Sequence, residues 1–272
     1  MPFRSKTALM IWTGHCMIAT IDKNGRTWKA DLSKGLDISI TVSASGPRAW
    51  YVDAASIKPV VNEHYTGSVQ LGGKVNFRDV YFNPHGHGTH TECVGHISHE
   101  DYDVNQLLKS YFFIAELISV SPITVEVDGE IQRRGDRMIV REQIEKLLNG
   151  KVPEALVIRT LPNDRNKMTR NYSGTNFCYF EKQALEWMAQ VGIQHLLVDL
   201  PSVDRESDGG ALEGHHAFWK YPGDTRLGST ITEFVFADNV IPDGAYLLNL
   251  QLAPFTNDAS PSRPVLFKLS SE

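Results

Sequence analysis

The 272-residue chain reads as a single α/β domain with many strands and few helices. Three observations carry this reading. Short apolar or alternating runs bounded by turn residues recur from residue 17 to residue 269, which is strand patterning. Residues 181–204 run helix, glycine, strand, the unit from which α/β folds are assembled. No internal repeat, low-complexity tract or Pro/Ser-rich linker divides the chain. Residues 1–16 carry Arg4 and Lys6 before the short apolar run Ala8 to Trp12, which Gly14 and His15 interrupt. That is too short for a signal peptide and reads as a poorly ordered leader, so the domain is placed at 17–272.

The elements follow in order. Residues 17–32 form a hairpin, with Asn24-Gly25 as the turn between two strand-like runs. Residues 38–42 alternate as a strand, and so do residues 75–82, which lead into a histidine-rich stretch. Residues 112–120 are a strand, with helix as the alternative. Residues 141–148 have helical spacing and stop at Asn149-Gly150. Residues 155–159 are a short buried strand. The apolar positions Ala184, Leu185, Met188 and Val191 share one helical face in 181–191. Gly192 ends that helix, and residues 195–200 follow as a strand. Residues 246–252 and 265–269 close the domain as strands.

Composition narrows the function. A formal charge of -5 argues against a nucleic-acid partner, which selects a basic face. No apolar run approaches a membrane span. Three cysteines, Cys16, Cys93 and Cys178, form neither a closed disulfide set nor a zinc knuckle, so a reducing compartment, the cytoplasm, is expected.

The chemistry concentrates in residues 85–96, where His85, His87, His90, Glu92, Cys93 and His96 crowd together. Buried imidazoles and carboxylates need partners, and a metal or a reacting substrate supplies one. If residues 88–96 run extended, His90, Glu92 and His96 share a face. Two imidazoles and a carboxylate suit Zn²⁺ or Mn²⁺ with an open position. Such an ion would lower the pKa of water and polarise a carbonyl, with His96 as the proton-transferring base. His85 and His87 fall on the opposite face, and Gly86 and Gly88 permit the bend that would bring one of them round. Cys93 faces away and reads as a small buried residue. Far downstream, His215 and His216 follow a glycine-rich loop, and Glu233 follows in a strand-like run. A site combining His90 and Glu92 with His215 or His216 is physically reasonable. Residues 204–208 read as a solvated acidic loop.

The run from Gly88 to His96 resembles the signature H-x-G-T-H-x-D-x-P-x-H of the putative cyclase / kynurenine formamidase family of metal-dependent hydrolases. The resemblance extends from Ala30 to the C-terminus. Asp31-Leu32-Ser33, the strand ending in Arg159-Thr160, Ser202-Val203-Asp204, and Ser260-Pro261-Ser262-Arg263 are similar to family segments in the same order. It implies a mixed sheet or partly closed β-barrel with flanking helices, of the cyclase-like swivelling β/β/α type. It also implies a homodimer or homotetramer acting on a small-molecule substrate. The implied activity is hydrolysis of an amide or cyclic carbonyl C–N bond, with N-formylkynurenine as the leading case. A non-catalytic metal- or ligand-binding protein of the same fold is the alternative. By this resemblance His90 and Glu92 are metal ligands, His96 is the acid/base, His216 or His215 is the later metal histidine, and Glu233 is the later metal glutamate. The chain departs from the signature in three places. Gly86 stands where the first ligand histidine is expected, which leaves His85 or His87 to replace it. Glu92 stands for Asp, and Val94 for Pro.

Overall fold

The computed structural model describes residues 16–23 and 25–271. The proposed leader, apart from Cys16, and Asn24 of the expected turn lie outside the described residues. An eleven-stranded mixed sheet organises the chain. Its strands lie in the order Ile18–Lys23, Arg26–Asp31, Val265–Ser271, Gly244–Asn249, Phe112–Val120, Ala155–Thr160, His195–Val198, Thr230–Glu233, His90–Glu92 and Ala259–Pro261, with Leu36–Asp37 beside Val265–Ser271. The four strands from Phe112–Val120 to Thr230–Glu233 are parallel, and the flanking pairs are antiparallel. Among the described residues each terminal strand pairs on one side only. The sheet is therefore open, and of the two expected forms the mixed sheet is the one adopted.

The parallel centre explains the apolar runs. Ala155–Thr160 is buried at every position, as expected for strands covered on both faces. Alternate residues enter opposite cores. Leu156, Ile158, Leu196 and Val198 pack against Ile144 and Leu148 of helix Arg141–Leu148, Ala184, Leu185 and Met188 of helix Lys182–Val191, and Phe218 and Trp219 of helix Glu213–Trp219. Ala155, Val157 and Leu197 face the other way, against Tyr246, Leu248 and Leu266. The helix stops fall where the sequence places them. Asn149 and Gly192 both adopt left-handed backbone conformations, with φ of 47° and 97°.

Three expectations change. Residues 38–42 form no strand beyond one bridge, Ser39 to Val235. Their backbone groups go to separate partners: Ile38 N–H to Pro264 O, and Ile40 N–H to the Thr89 hydroxyl. Only Arg78–Tyr81 of 75–82 is a strand. It is exposed throughout and pairs with Ser56–Pro59 outside the main sheet. Residues 88–96 form a strand only at His90–Glu92; Cys93 is still extended, and Val94–His96 is a 3-10 turn. No helix among the described residues is long and apolar enough to cross a membrane.

Candidate metal centre

The His90–Glu92 strand lies between Thr230–Glu233 and Ala259–Pro261, with His90 opposite Glu233 and Glu92 opposite Ile231 and Ala259. Side chains two apart on a strand share a face, and directly opposed residues share it too. The pairing register therefore brings His90, Glu92 and Glu233 together. It is pinned from below. Gly88 has φ of +63°, and a Cβ there would sit 2.9 Å from Ile40 O. Thr89 donates its hydroxyl to Phe234 O and accepts from Ile40 N–H. The Thr91 and Thr232 hydroxyls, 2.7 Å apart, tie the neighbouring strands.

His90, Glu92 and Glu233 are buried, with 0%, 0% and 3% exposure. Three of their atoms, His90 Nε2, Glu92 Oε2 and Glu233 Oε1, have no partner in hydrogen-bonding geometry, although His85 Nδ1 comes within 3.0 Å of Glu92 Oε2. Orphaned buried polar atoms are costly. Here the three residues converge: one ligand atom from each lies within 4.8 Å of the others. A second group, His85, Glu92 and His96, meets the same criterion and shares Glu92.

The histidines are oriented from behind. His90 Nδ1 lies 3.2 Å from Gly88 O. A carbonyl only accepts, so Nδ1 carries a proton, and Nε2 is the nitrogen that faces the carboxylates, 3.3 Å from Glu233 Oε2. His215 donates Nδ1–H to Asp204 and turns Nε2 to Glu92 Oε1 at 3.1 Å. His85 places Nε2 2.7 Å from Asp258 Oδ2 and Nδ1 3.0 Å from Glu92 Oε2. His96 stacks on His85 at 4.1 Å between ring centroids, with Nδ1 3.4 Å from Asp258 Oδ2 and Nε2 3.9 Å from Glu92 Oε2. Each ring has one nitrogen facing an outer acceptor and the other facing the carboxylates. Outer acceptors behind imidazoles are the arrangement that orients metal-binding histidines.

The protonation pattern expresses the same crowding. Burial opposes charge on Glu92, but the charge of His96, the hydrogen bond of His215 and the nearby His85 ring outweigh it and hold its carboxyl well below the usual range. Burial disfavours the His85 imidazolium, yet Asp258 and Glu92 raise its pKa to about 10. His215 is likewise raised, against burial, by Asp204 and Glu92. Glu233 is raised by burial and by the Glu92 charge, only partly offset by His90. With acceptors on both edges, His85 and His215 need two protons when no cation is present. A divalent ion can replace the inner proton of each. The donor set, imidazole nitrogens and carboxylates around orphaned atoms, thus fits such an ion.

Two of the candidate histidines lie elsewhere. His87 is buried, but its Nδ1 accepts from Asn83 N–H and its Nε2 donates to Asp53 O, so both nitrogens are committed to the backbone. His216 follows His215 on the helix and turns aside, with Nδ1 donating to Tyr221 O. Consecutive helical residues cannot face one point. Two residues of the centre escaped the sequence reading. Asp204, placed in a solvated acidic loop, is 6% exposed and accepts from the Gly214 and His215 N–H groups as well as the His215 ring. Its only sequence signal was the Ser202-Val203-Asp204 segment. Asp258 stands immediately before the Ala259–Pro261 strand, and no local pattern singled it out.

A family model described as putative cyclase matches residues 31–205, well over half of the chain. Kynurenine formamidase of Bordetella avium is 29% identical over 118 residues, covering 43% of this chain and 51% of that protein. Kynurenine formamidase of Bordetella pertussis is 34% identical over 95 residues, covering 35% and 42%. The chain thus spans about half the length of the curated relatives it matches. Among solved structures, one titled as a predicted metal-dependent hydrolase from Bacillus stearothermophilus superposes with a TM-score of 0.58 at 16% identity, over 86% of this chain and 98% of that one. Isatin hydrolase A from Labrenzia aggregata superposes with a TM-score of 0.63 at 11% identity, over 86% and 93%. These share the fold. By the extent of the family match and the order of its segments, the chain belongs to the putative cyclase family.

Proposed function

We propose that the protein is a metal-dependent hydrolase that opens an amide or cyclic carbonyl C–N bond in a small molecule, with an arylformamidase-like reaction on N-formylkynurenine as the leading case. One observation carries the reading: four histidines, each backed by an outer acceptor, turn their inner nitrogens toward Glu92 and Glu233, which hold orphaned buried oxygens. His90, Glu92 and Glu233 would hold one Zn²⁺ or Mn²⁺, with His215 on the far oxygen of Glu92. His85 is the histidine available in place of one at position 86. The kynurenine formamidase and isatin hydrolase names of the relatives support the substrate class.

When bound, the ion would supply Lewis acidity toward a carbonyl and acidify water. The chain's own residues do the rest. Glu92 and Glu233 provide the negative charge that retains the cation in a buried place. Asp204 and Gly88 O fix which nitrogen of His215 and of His90 is free. His96 is 30% exposed at its side chain, the most accessible of the four rings that face Glu92 or Glu233, as a group exchanging protons with substrate must be. Its Nε2 faces Glu92 and can hold a proton taken from water, then release it to the departing nitrogen. Water thus adds hydroxyl to the carbonyl carbon and hydrogen to the amine as the C–N bond breaks.

The test pairs metal analysis with turnover of N-formylkynurenine, a formanilide and isatin. His90→Ala is expected to lose metal and activity together, and His96→Ala to lose rate while keeping metal. Stoichiometric metal with no turnover on amide, lactam or lactone would remove the enzyme reading and leave a metal-binding protein.

A further inference from the structure

Position 86 has little room for a side chain. A Cβ on Gly86 would lie 2.8 Å from Val52 Cγ2, while the Gly86 carbonyl accepts from Ala49 N–H and its own N–H binds the Asn83 side chain. A side chain here would require Val52 to move, and glycine brings no imidazole to the centre. One enters from the preceding residue instead. His85 reaches Glu92 Oε2 at 3.0 Å from the side where Asp258 stands, and its other nitrogen is 2.7 Å from Asp258 Oδ2. Asp258 is set by the sheet. Its carbonyl accepts from Cys93 N–H, and Ala259, next in the chain, pairs with Glu92. The same oxygen faces His96 Nδ1 at 3.4 Å, and the two rings stack at 29°.

We propose that Asp258 is a positioning residue that lets His85 act in place of the imidazole absent at position 86, and that the same carboxylate oxygen sets the orientation of His96. The proposal rests on the metal-centre reading above and extends it to a residue from the far end of the chain. A carboxylate behind a histidine fixes the tautomer: the proton stays on the outer nitrogen and the inner nitrogen keeps its lone pair for a cation. One oxygen shared by two stacked rings also links them, so that the imidazole beside the ion and the imidazole that moves protons take up their places together.

The experiment uses the full chain, stripped of metal and titrated with Zn²⁺ alone against a competing chelator. Wild type, Asp258→Asn, His85→Ala and the double variant are compared, with histidine ring nitrogen NMR on the zinc-loaded forms. Asp258→Asn is expected to weaken zinc binding about 10–100-fold and to change the ring signals of both His85 and His96. The double variant is expected to bind no more weakly than His85→Ala, because the two residues act as one unit. Zinc affinity within about twofold of wild type in either single variant would overturn the proposal, and so would losses that multiply in the double variant. Because His85→Ala is read independently, the proposal can still fail if Asp258→Asn does not fold. Absence of zinc binding by the wild type would remove the metal-centre reading itself, a different result from wild-type binding that ignores Asp258.

Discussion

Two buried charged clusters sit near the parallel strands, and they are built on opposite principles. In one, Asp199 accepts from the Thr160 N–H, the Thr160 hydroxyl and Lys167, while Lys167 also donates to Thr160 O and Asn163. Every donor meets an acceptor. In the other, Glu92 and Glu233 face four imidazoles and still leave three buried atoms without partners. A satisfied buried network is a fold device, because its attraction offsets its desolvation within the protein. An unsatisfied one costs stability unless something outside the chain completes it. The contrast separates charges that complete one another from charges that call for a partner outside the chain.

The largest effect expected from breaking this contrast is at Glu92. Glu92→Gln preserves shape but removes the charge that both candidate metal-binding groups share. Turnover should fall by at least about a hundredfold and metal content should collapse, read by elemental analysis and by assay. Retention of full metal would place the ion elsewhere. Lys167→Met tests the satisfied cluster. It strands Asp199, whose carboxyl burial already pushes up, and should cost about 3–5 kcal/mol. That is a fall in melting temperature of roughly 10 °C, with metal stoichiometry unchanged. Equal damage to metal binding would show that the two clusters are coupled.

A smaller effect is expected from pH. His195, at the start of its strand against Thr230 and Phe113, is held by burial, with Arg226 adding to it, at a pKa of about 4. Its folded pKa lies below the unfolded value near 6.5, so the unfolded chain binds the proton first as pH falls. The stability His195 contributes is complete above about pH 6.5 and is lost progressively down to about pH 4, by at most about 3 kcal/mol. Denaturant unfolding of wild type against His195→Asn across that window should show a steeper loss of stability with falling pH in wild type. The smallest effect is at Cys93. Its thiol is pushed up to about 12 by burial and lies 3.7 Å from Tyr102 O. Cys93→Ala should leave turnover within about twofold. A larger loss would implicate the thiol in the chemistry.

Much of the fold could be read directly. The buried strands at 112–120 and 155–160, the two helices and their left-handed stops follow from local periodicity and turn chemistry, and the structure keeps them within a residue or two. Segment 38–42 failed because its alternation fits a strand while its backbone is divided among three partners. The centre divides the same way. His90 and Glu92 were legible because alternation puts them on one face over three residues. His96 joins them through a turn, not through alternation, and His215 was indistinguishable from His216 until the helix chose one face. His87 looked equivalent to His85 until Asn83 and Asp53 claimed both its nitrogens.

The sequence by itself determined the fold class, the family and the short stretch where the chemistry lies, because periodicity, turn residues and motif spacing are local. Tertiary structure alone decided which carboxylates stand behind which imidazoles. Asp204, Glu233 and Asp258 come from three distant segments, and only strand register and helix packing bring them within hydrogen-bond reach. It also decided that the ring beside Glu92 comes from position 85 and not 87, since the backbone at Asn83 and Asp53 holds both nitrogens of His87.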